Sequence, residues 1–271
     1  MVVTPDFVAV IDGSTSKSTV RCHRRYLGRP LSLLRDHSDG EQAMLIVADT
    51  IRRMKKDTSC HTFCMAATAA VRKYYYKEKL THLAGHPEDR MAASCVVFSR
   101  LRREIWMIGD CQGLVTRKPL GEGGEEQRRF EPIVLENPKP SEQLIAALRA
   151  EIITSSPKPW DHFLVDDTAR KAVIPRLLET MKQQNNGYSV IDGFPVDEAH
   201  VKILTLDLQP WEVVLATDGY PFLCPTLAQS EERLEWQRTH DPLNIGTFKA
   251  TKAFVQGNAS FDDRAYIRFL I

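Results

Sequence analysis

FVAVIDGSTSK, residues 7–17, is the stretch from which the rest of the chain is best read. Its first five residues are apolar and rich in β-branched types. They stop at Asp12-Gly13 and a Ser/Thr cluster, which is the pattern of a buried strand ending in a tight turn. Asp12 is thereby placed at the end of a rigid strand. Two later stretches repeat the arrangement: VVLATDGY, residues 213–220, carries Asp218, and ASFDDRAYIRF, residues 259–269, carries Asp262. Taken singly, each is ordinary turn chemistry, and an Asx-turn from Asp12 to the amides of Ser14 and Thr15 would account for the first.

Outward from residues 7–17, Met44, Ile46, Val47, Ile51 and Met54, then Phe63, Met65 and Ala69, recur at helical spacing with a break at Asp57-Thr58-Ser59. Two helices within residues 40–72 follow. Residues 94–98 and 105–108 read as a strand hairpin, and residues 114–116 as a third strand after Asp110-Cys111-Gln112-Gly113. The polar, glycine-rich run GEGGEEQRR, residues 121–129, reads as an exposed loop. Residues 141–153, with Ser141 as cap, and residues 168–184 read as amphipathic helices. Strand-like pieces follow at 188–191, 201–206, 213–216 and 265–271. Mixed blocks of this kind, without regular strand–helix alternation, predict an α+β fold: a four-layer αββα sandwich of two antiparallel sheets flanked by helices. A single domain over residues 1–271 is expected.

Composition narrows the classes of partner. With 36 basic and 35 acidic residues, the charge points to neither nucleic acid nor an anionic membrane. No run approaches the roughly 18 apolar residues of a membrane span. Six scattered cysteines lack the density of a disulfide framework, so reduced thiols and a cytoplasmic location are expected. Hard divalent cations want oxygen ligands, and carboxylates gathered from distant strands need a cation to offset their repulsion. Three aspartates at strand ends therefore suggest a metal.

The order of motifs resembles the type 2C metal-dependent phosphatases. Asp12-Gly13 matches that family's early aspartate-glycine. Ser94-Cys95-Val96-Val97 followed by Ile108-Gly109-Asp110-Cys111 matches its middle motif, Ala216-Thr217-Asp218-Gly219 its late one, and Asp262-Asp263 its final pair. The resemblance runs from Phe7 to the C-terminus. It implies two Mn2+ or Mg2+ ions, with Asp12 bridging them, the Gly13 carbonyl on one, Asp218 and Asp262 on the other, and Asp110 on a looser third. Asp263 aligns with the family's asparagine. Catalysis would centre on Asp12 and Asp218, with a water activated between ions roughly 3.5–4 Å apart attacking a phosphate monoester. The implied substrate is a phosphoserine or phosphothreonine protein, or a small phosphate ester.

Several positions depart from the family. Only Met1 to Asp6 precede Phe7, where the family carries an upstream arginine and glutamate, so either the chain starts late relative to its relatives or phosphate is gripped by another residue, with Lys17, Arg21 and Arg264 as candidates. Ser14 stands where the family has a histidine, and Phe222 where it has an acidic residue. These departures keep open a catalytically silent phosphatase-like binding module. Residues 11–17 also resemble the phosphate loop of actin and sugar-kinase proteins, a second alternative, although the Asp110 and Asp262 motifs have no role there. An N-terminal-nucleophile amidohydrolase would need processing behind Met1-Val2-Val3. Cys60, His61 and Cys64 lack a second pair for zinc. The KYYYKEK run, residues 73–79, suits the solvated end of a helix better than a nucleobase platform. His23, His82, His86 and His200 have no spacing that makes a nucleophile–base pair.

Overall fold

The computed structural model describes residues 1–18, 20, 22–24, 37–119, 131–139, 141–255, 257–258 and 260–271. The charged loop expected at 121–129, and Arg21, lie outside them. Two antiparallel sheets carry the structure. The first orders its strands β1 (Val2–Val3), β2 (Phe7–Gly13), β3 (Ala93–Ser99), β4 (Glu104–Ile108) and β7 (Lys202–Thr205). The second orders β6 (Ile133–Leu135), β5 (Gln112–Arg117), β8 (Trp211–Ala216) and β9 (Tyr266–Leu270).

Alternation along the strands decides what each face meets. Val8, Val10, Val96, Phe98, Ile105 and Met107 of the first sheet pack with Val115, Val213 and Leu215 of the second in one buried cluster. Phe98 and Phe269 meet across it with ring centroids 5.3 Å apart. The opposite face of the first sheet presents Phe7, Ala9, Ile11, Val97 and Trp106 to helices α1 (Asp39–Arg52) and α2 (Cys60–Arg72). There Trp106 stacks on Phe63 of α2 at 6.0 Å. Helix α1 begins with a full capping box, Ser38 and Glu41 each bonding the other's backbone N–H, and buries Ala43, Ile46, Val47 and Ile51.

Helices α4 (Glu142–Thr154) and α6 (Thr168–Met181) pack on each other, with α5 (His162–Val165) between them in sequence. Their apolar contacts form separate small cores: Ile145 with Val173 and Leu177, and Ile153, Phe163 and Ala169 with Leu243 and Ala253. Neither of these cores includes a residue of the sheets, and buried polar contacts add to them. Arg149 of α4 is 0% exposed. It donates to Asp167 Oδ2 at 2.6 and 3.0 Å, and to the carbonyls of Leu243 and Ala250 at 2.7 and 3.1 Å.

Helix boundaries fall within a few residues of expectation, and all the strand-like runs except 188–191 lie in the two sheets. Ser141 does precede α4, but its hydroxyl makes no capping bond. Residues 188–191 form isolated bridges rather than a strand, Ile191 with Ala93 and Tyr188 with Gln184. The cause is local: the amide of Val190 donates to the side chain of Asn185 (φ 55°), so it is not free for a ladder. Helices α3 (Leu80–Gly85) and α7 (Leu227–His240) have no apolar stripe to announce them, and α7 buries only Ser230, Leu234 and Gln237. Tyr75 of the KYYYKEK run is structural, its hydroxyl donating to the carbonyls of Met91 and Asp192. Cys60 and Cys64 are buried on α2 while His61 faces out to Glu198 at 2.5 Å, which excludes a joint zinc site. No helix among the described residues is long and apolar enough to cross a membrane.

Candidate active site

Four strand ends converge on one pocket of about 570 Å3. Asp12 closes β2 and is paired in register with Ser94 on β3. Asp110 lies in the turn where the chain leaves β4 of the first sheet for β5 of the second, so it sits at the seam between sheets. Asp218 follows β8 and Asp262 precedes β9, which are neighbours in the second sheet. All four carboxylates line the pocket, as does Gly13.

The glycines of these motifs are required by close packing rather than by turn type alone. A Cβ on Gly13 would lie 2.4 Å from the carbonyl oxygen of Gly40, at the start of α1. On Gly219 it would lie 2.3 Å from the Asp263 carbonyl oxygen, and on Gly109 (φ +84°) 2.2 Å from Ser94 Oγ. Each aspartate is thus anchored by a backbone that a side chain would push apart. Gln112 at the start of β5 fixes the Asp218 turn, its amide donating to the carbonyls of Thr217 and Tyr220 at 2.9 Å each.

The aspartates divide electrostatically into two kinds. Asp110 accepts from Ser94 Oγ at 2.6 Å and from Lys139 Nζ at 2.5 Å. Burial alone would raise its carboxyl, but the Lys139 charge and these hydrogen bonds outweigh it and hold the group below its ordinary value. Lys139 is itself pushed well up, Asp110 and Glu142 overcoming the effect of its burial. Asp262 is paired in the same way, with Lys252 Nζ at 2.5 Å. Asp12 and Asp218 lack an ion-pair partner among the described residues and repel each other. Burial, then the charges of Asp110 and Asp262, push Asp12 up to about 7. Burial, then Asp110 and Asp12, push Asp218 well above the carboxylate range.

Cations ring the acids. Lys17, Lys139, Arg170 and Lys252 all line the pocket. Burial, then the charges of Lys139, Arg170 and Lys252, bring Lys17 down to about 8. Of the three residues considered for gripping phosphate, Lys17 is in the pocket. Arg264 is committed elsewhere, in a two-pronged pair with Glu231 at 2.9 and 3.0 Å. Lys139, Arg170 and Lys252 had no motif to mark them, since they come from three separate polar segments. At the position of the family's upstream strand, β1 contributes Val2 and Val3, paired with Ala9 and Val8. Phe222 packs against Phe248, whose ring lines the pocket beside that of Phe261. Asp263 is exposed beside Asp262.

An oxygen-only donor set of this kind suits magnesium or manganese. Asp12 and Asp218 fit directly: two half-buried carboxylates that repel each other are what a divalent ion would relieve. Asp110 and Asp262 fit only once Lys139 and Lys252 release them.

No family model matches the chain, and no curated protein matches it in sequence. Solved structures of serine/threonine phosphatases are similar to it. The phosphatase 2C of Toxoplasma gondii is 14% identical at a TM-score of 0.38, with 99% of this chain and 96% of that one covered. The Mycobacterium tuberculosis phosphatase PstP/Ppp is 11% identical at 0.35, with 85% and 80% covered. PppA of Pseudomonas aeruginosa, described as a regulatory component of a type VI secretion system, is 12% identical at 0.33, with 84% and 82% covered. These likenesses are at low identity and low TM-score. What it does is inferred from its own residues.

Proposed function

We propose that the pocket hydrolyses phosphate monoesters with the help of Mn2+ or Mg2+, and that phosphoserine or phosphothreonine in a protein is its substrate. One observation carries this: four strand-end carboxylates drawn from both sheets share a single pocket with five cationic side chains, Lys249 being the fifth. A phosphate dianion and its divalent counter-ions need that division of charge. Asp12 and Asp218 would hold the metal, joined by the Gly13 carbonyl and, after release from their lysines, by Asp262 and Asp110. Bound divalent ions supply Lewis-acid polarisation of the phosphoryl group and a water activated near neutral pH.

The chain's own groups do the rest. Lys139 and Lys252, displaced from their aspartates, carry positive charge to the phosphoryl oxygens, and Arg170 offers a planar fork to two of them. Lys17, which lines the pocket, serves as the leaving-group acid in this reading. Its neighbours favour loss of its proton, so it can donate that proton to the departing alkoxide. Phe248 and Phe261 give the rest of the substrate an apolar wall.

Hydrolysis of p-nitrophenyl phosphate with manganese, magnesium or chelator, in wild type and in folded Asp218→Asn, tests the proposal. Metal-dependent turnover that disappears in the variant supports it. Turnover no greater than the variant's in every metal overturns it and leaves the second reading, a silent phosphatase-like binding module. The ion pairs Lys139–Asp110 and Lys252–Asp262 favour that second reading, because they neutralise two acids without metal.

A further inference from the structure

Away from the pocket, helix α3 and the turn after it gather a different set of donors. His82 and His86 are one helical turn apart, and Asp89 follows on a short 3-10 turn. One nitrogen of each ring and one oxygen of the Asp89 carboxylate lie within 4.8 Å of one another. The two imidazoles stack, with centroids 4.3 Å apart and planes 16° from parallel.

Asp89 and His86 are each fixed from outside through one atom, with a second left for the cluster. Asp89 places Oδ2 2.6 Å from His82 Nε2, while its Oδ1 accepts from the Ser18 hydroxyl. His86 is held through Nδ1 by Glu88 Oε1 at 3.3 Å, which leaves its Nε2 free. Such an outer carboxylate fixes the tautomer and ring orientation of a metal-ligating histidine. Asp89 is only 8% exposed, and its one ion-pair partner among the described residues is His82. A buried carboxylate beside two stacked imidazoles is better compensated by a divalent ion than by protonating adjacent rings.

We propose that His82, His86 and Asp89 bind one borderline transition-metal ion of the Zn2+ or Co2+ kind, at a site separate from the aspartate pocket. Two imidazole nitrogens and one carboxylate select such an ion over magnesium, whose preference is for oxygen. Around a tetrahedral ion with bonds of about 2.0–2.1 Å the donors would stand roughly 3.4 Å apart, so small side-chain rotations complete the site. The fourth position stays open to water. Through Asp89 and Ser18 the ion would also fasten the segment carrying Lys17 to α3.

The test is titration of the full chain with Co2+, read by its visible ligand-field absorption, followed by displacement with Zn2+. Wild type, the double variant His82→Ala/His86→Ala and Asp218→Asn are compared, with circular dichroism confirming that each is folded. The expected result is one Co2+ with a tetrahedral-type spectrum in wild type, unchanged in Asp218→Asn and weakened at least 100-fold in the histidine variant. Because the exposed His86 can be removed with little effect on packing, His86→Ala alone is the second variant, expected to lose tenfold or more. Equal binding and spectrum in wild type and the double variant, or no Co2+ bound by wild type beyond what Asp218→Asn abolishes, overturns the proposal.

Discussion

The sandwich and the second helical block contribute opposite charges to the same pocket. Asp12, Asp110, Asp218 and Asp262 all sit at strand ends of the two sheets. Lys139 immediately precedes α4, Arg170 is on α6, and Lys252 lies in the segment that Arg149 and Arg170 tie to that block through the carbonyls of Ala250 and Thr251. The sheets share a continuous apolar core, whereas the block has small cores of its own and is pinned by buried polar contacts. Rigid acids and more loosely held bases are what a metal-and-phosphate site requires, since lysines must leave Asp110 and Asp262 before ions can reach them.

The comparison breaks most severely on the acid side. Asp12→Asn should lower Mn2+-dependent turnover by about a thousandfold or more. It should also abolish the stabilisation by Mn2+, which for wild type would be about 2.7 kcal/mol at a hundredfold excess over Kd. Steady-state kinetics and thermal melts with and without the ion check both effects. If turnover survives the substitution, the carboxylates are structural and the silent reading stands. On the block side, Arg149→Ala leaves Asp167 and two carbonyls without their buried donor. A loss of about 3–5 kcal/mol in urea unfolding is expected, with weaker substrate binding as the segment carrying Lys252 loosens.

Lys17 joins the two regions, since it follows a strand of the sandwich yet faces the block's cations. In the folded chain its ammonium is held near 8 against 10.5 in the open chain, so its charge costs stability below about 8 and the cost fades as pH rises toward 10.5. Lys17→Gln should therefore stabilise the protein at pH 7 by on the order of 1 kcal/mol while lowering kcat roughly 10- to 100-fold. The fall in wild-type rate above pH 8 should flatten in the variant. Lys252→Gln is the milder probe. Freed of its partner, Asp262 should bind Mn2+ roughly tenfold more tightly, one charge–charge contact's worth, as measured by calorimetry. Unchanged affinity would show that Asp262 is no ligand.

The acids of this site were legible in the sequence, and of its bases only Lys17 was, for a physical reason. Strand ends announce themselves, because a run such as Phe7–Ile11 or Val213–Ala216 must alternate or bury continuously, and the residue that stops it stands out. The same logic predicted α1 and α2, whose apolar stripes face a sheet. Lys139, Arg170 and Lys252 sit in polar segments that only tertiary hydrogen bonds bring together, and α7 buries too few apolar residues to show a period. His82 and His86 are four residues apart, but His86 lies just past the end of α3, so their meeting with Asp89 follows from the turn after the helix rather than from the spacing.

The smallest effect expected is also the cleanest contrast between the two kinds of aspartate. Asp12 is raised from 3.8 to about 7 and Asp218 is raised as well, so between those limits the metal-free folded state holds more protons than the unfolded chain. The stability contributed by Asp12 must then fall as pH rises from about 4 to about 7 and level off above, and that of Asp218 changes in the same direction. Asp110 has the opposite sign: its carboxyl lies below the ordinary value, and its contribution is lost only as pH falls beneath that range. In chelator, the melting temperature should therefore decline by a few degrees, on the order of 1 kcal/mol, between pH 5 and 7. Mn2+ should reverse the slope, because a bound cation favours the ionised pair and its affinity grows as the protons leave. A melting temperature that is flat in chelator and unmoved by Mn2+ would mean that Asp12 and Asp218 are not buried against one another as described.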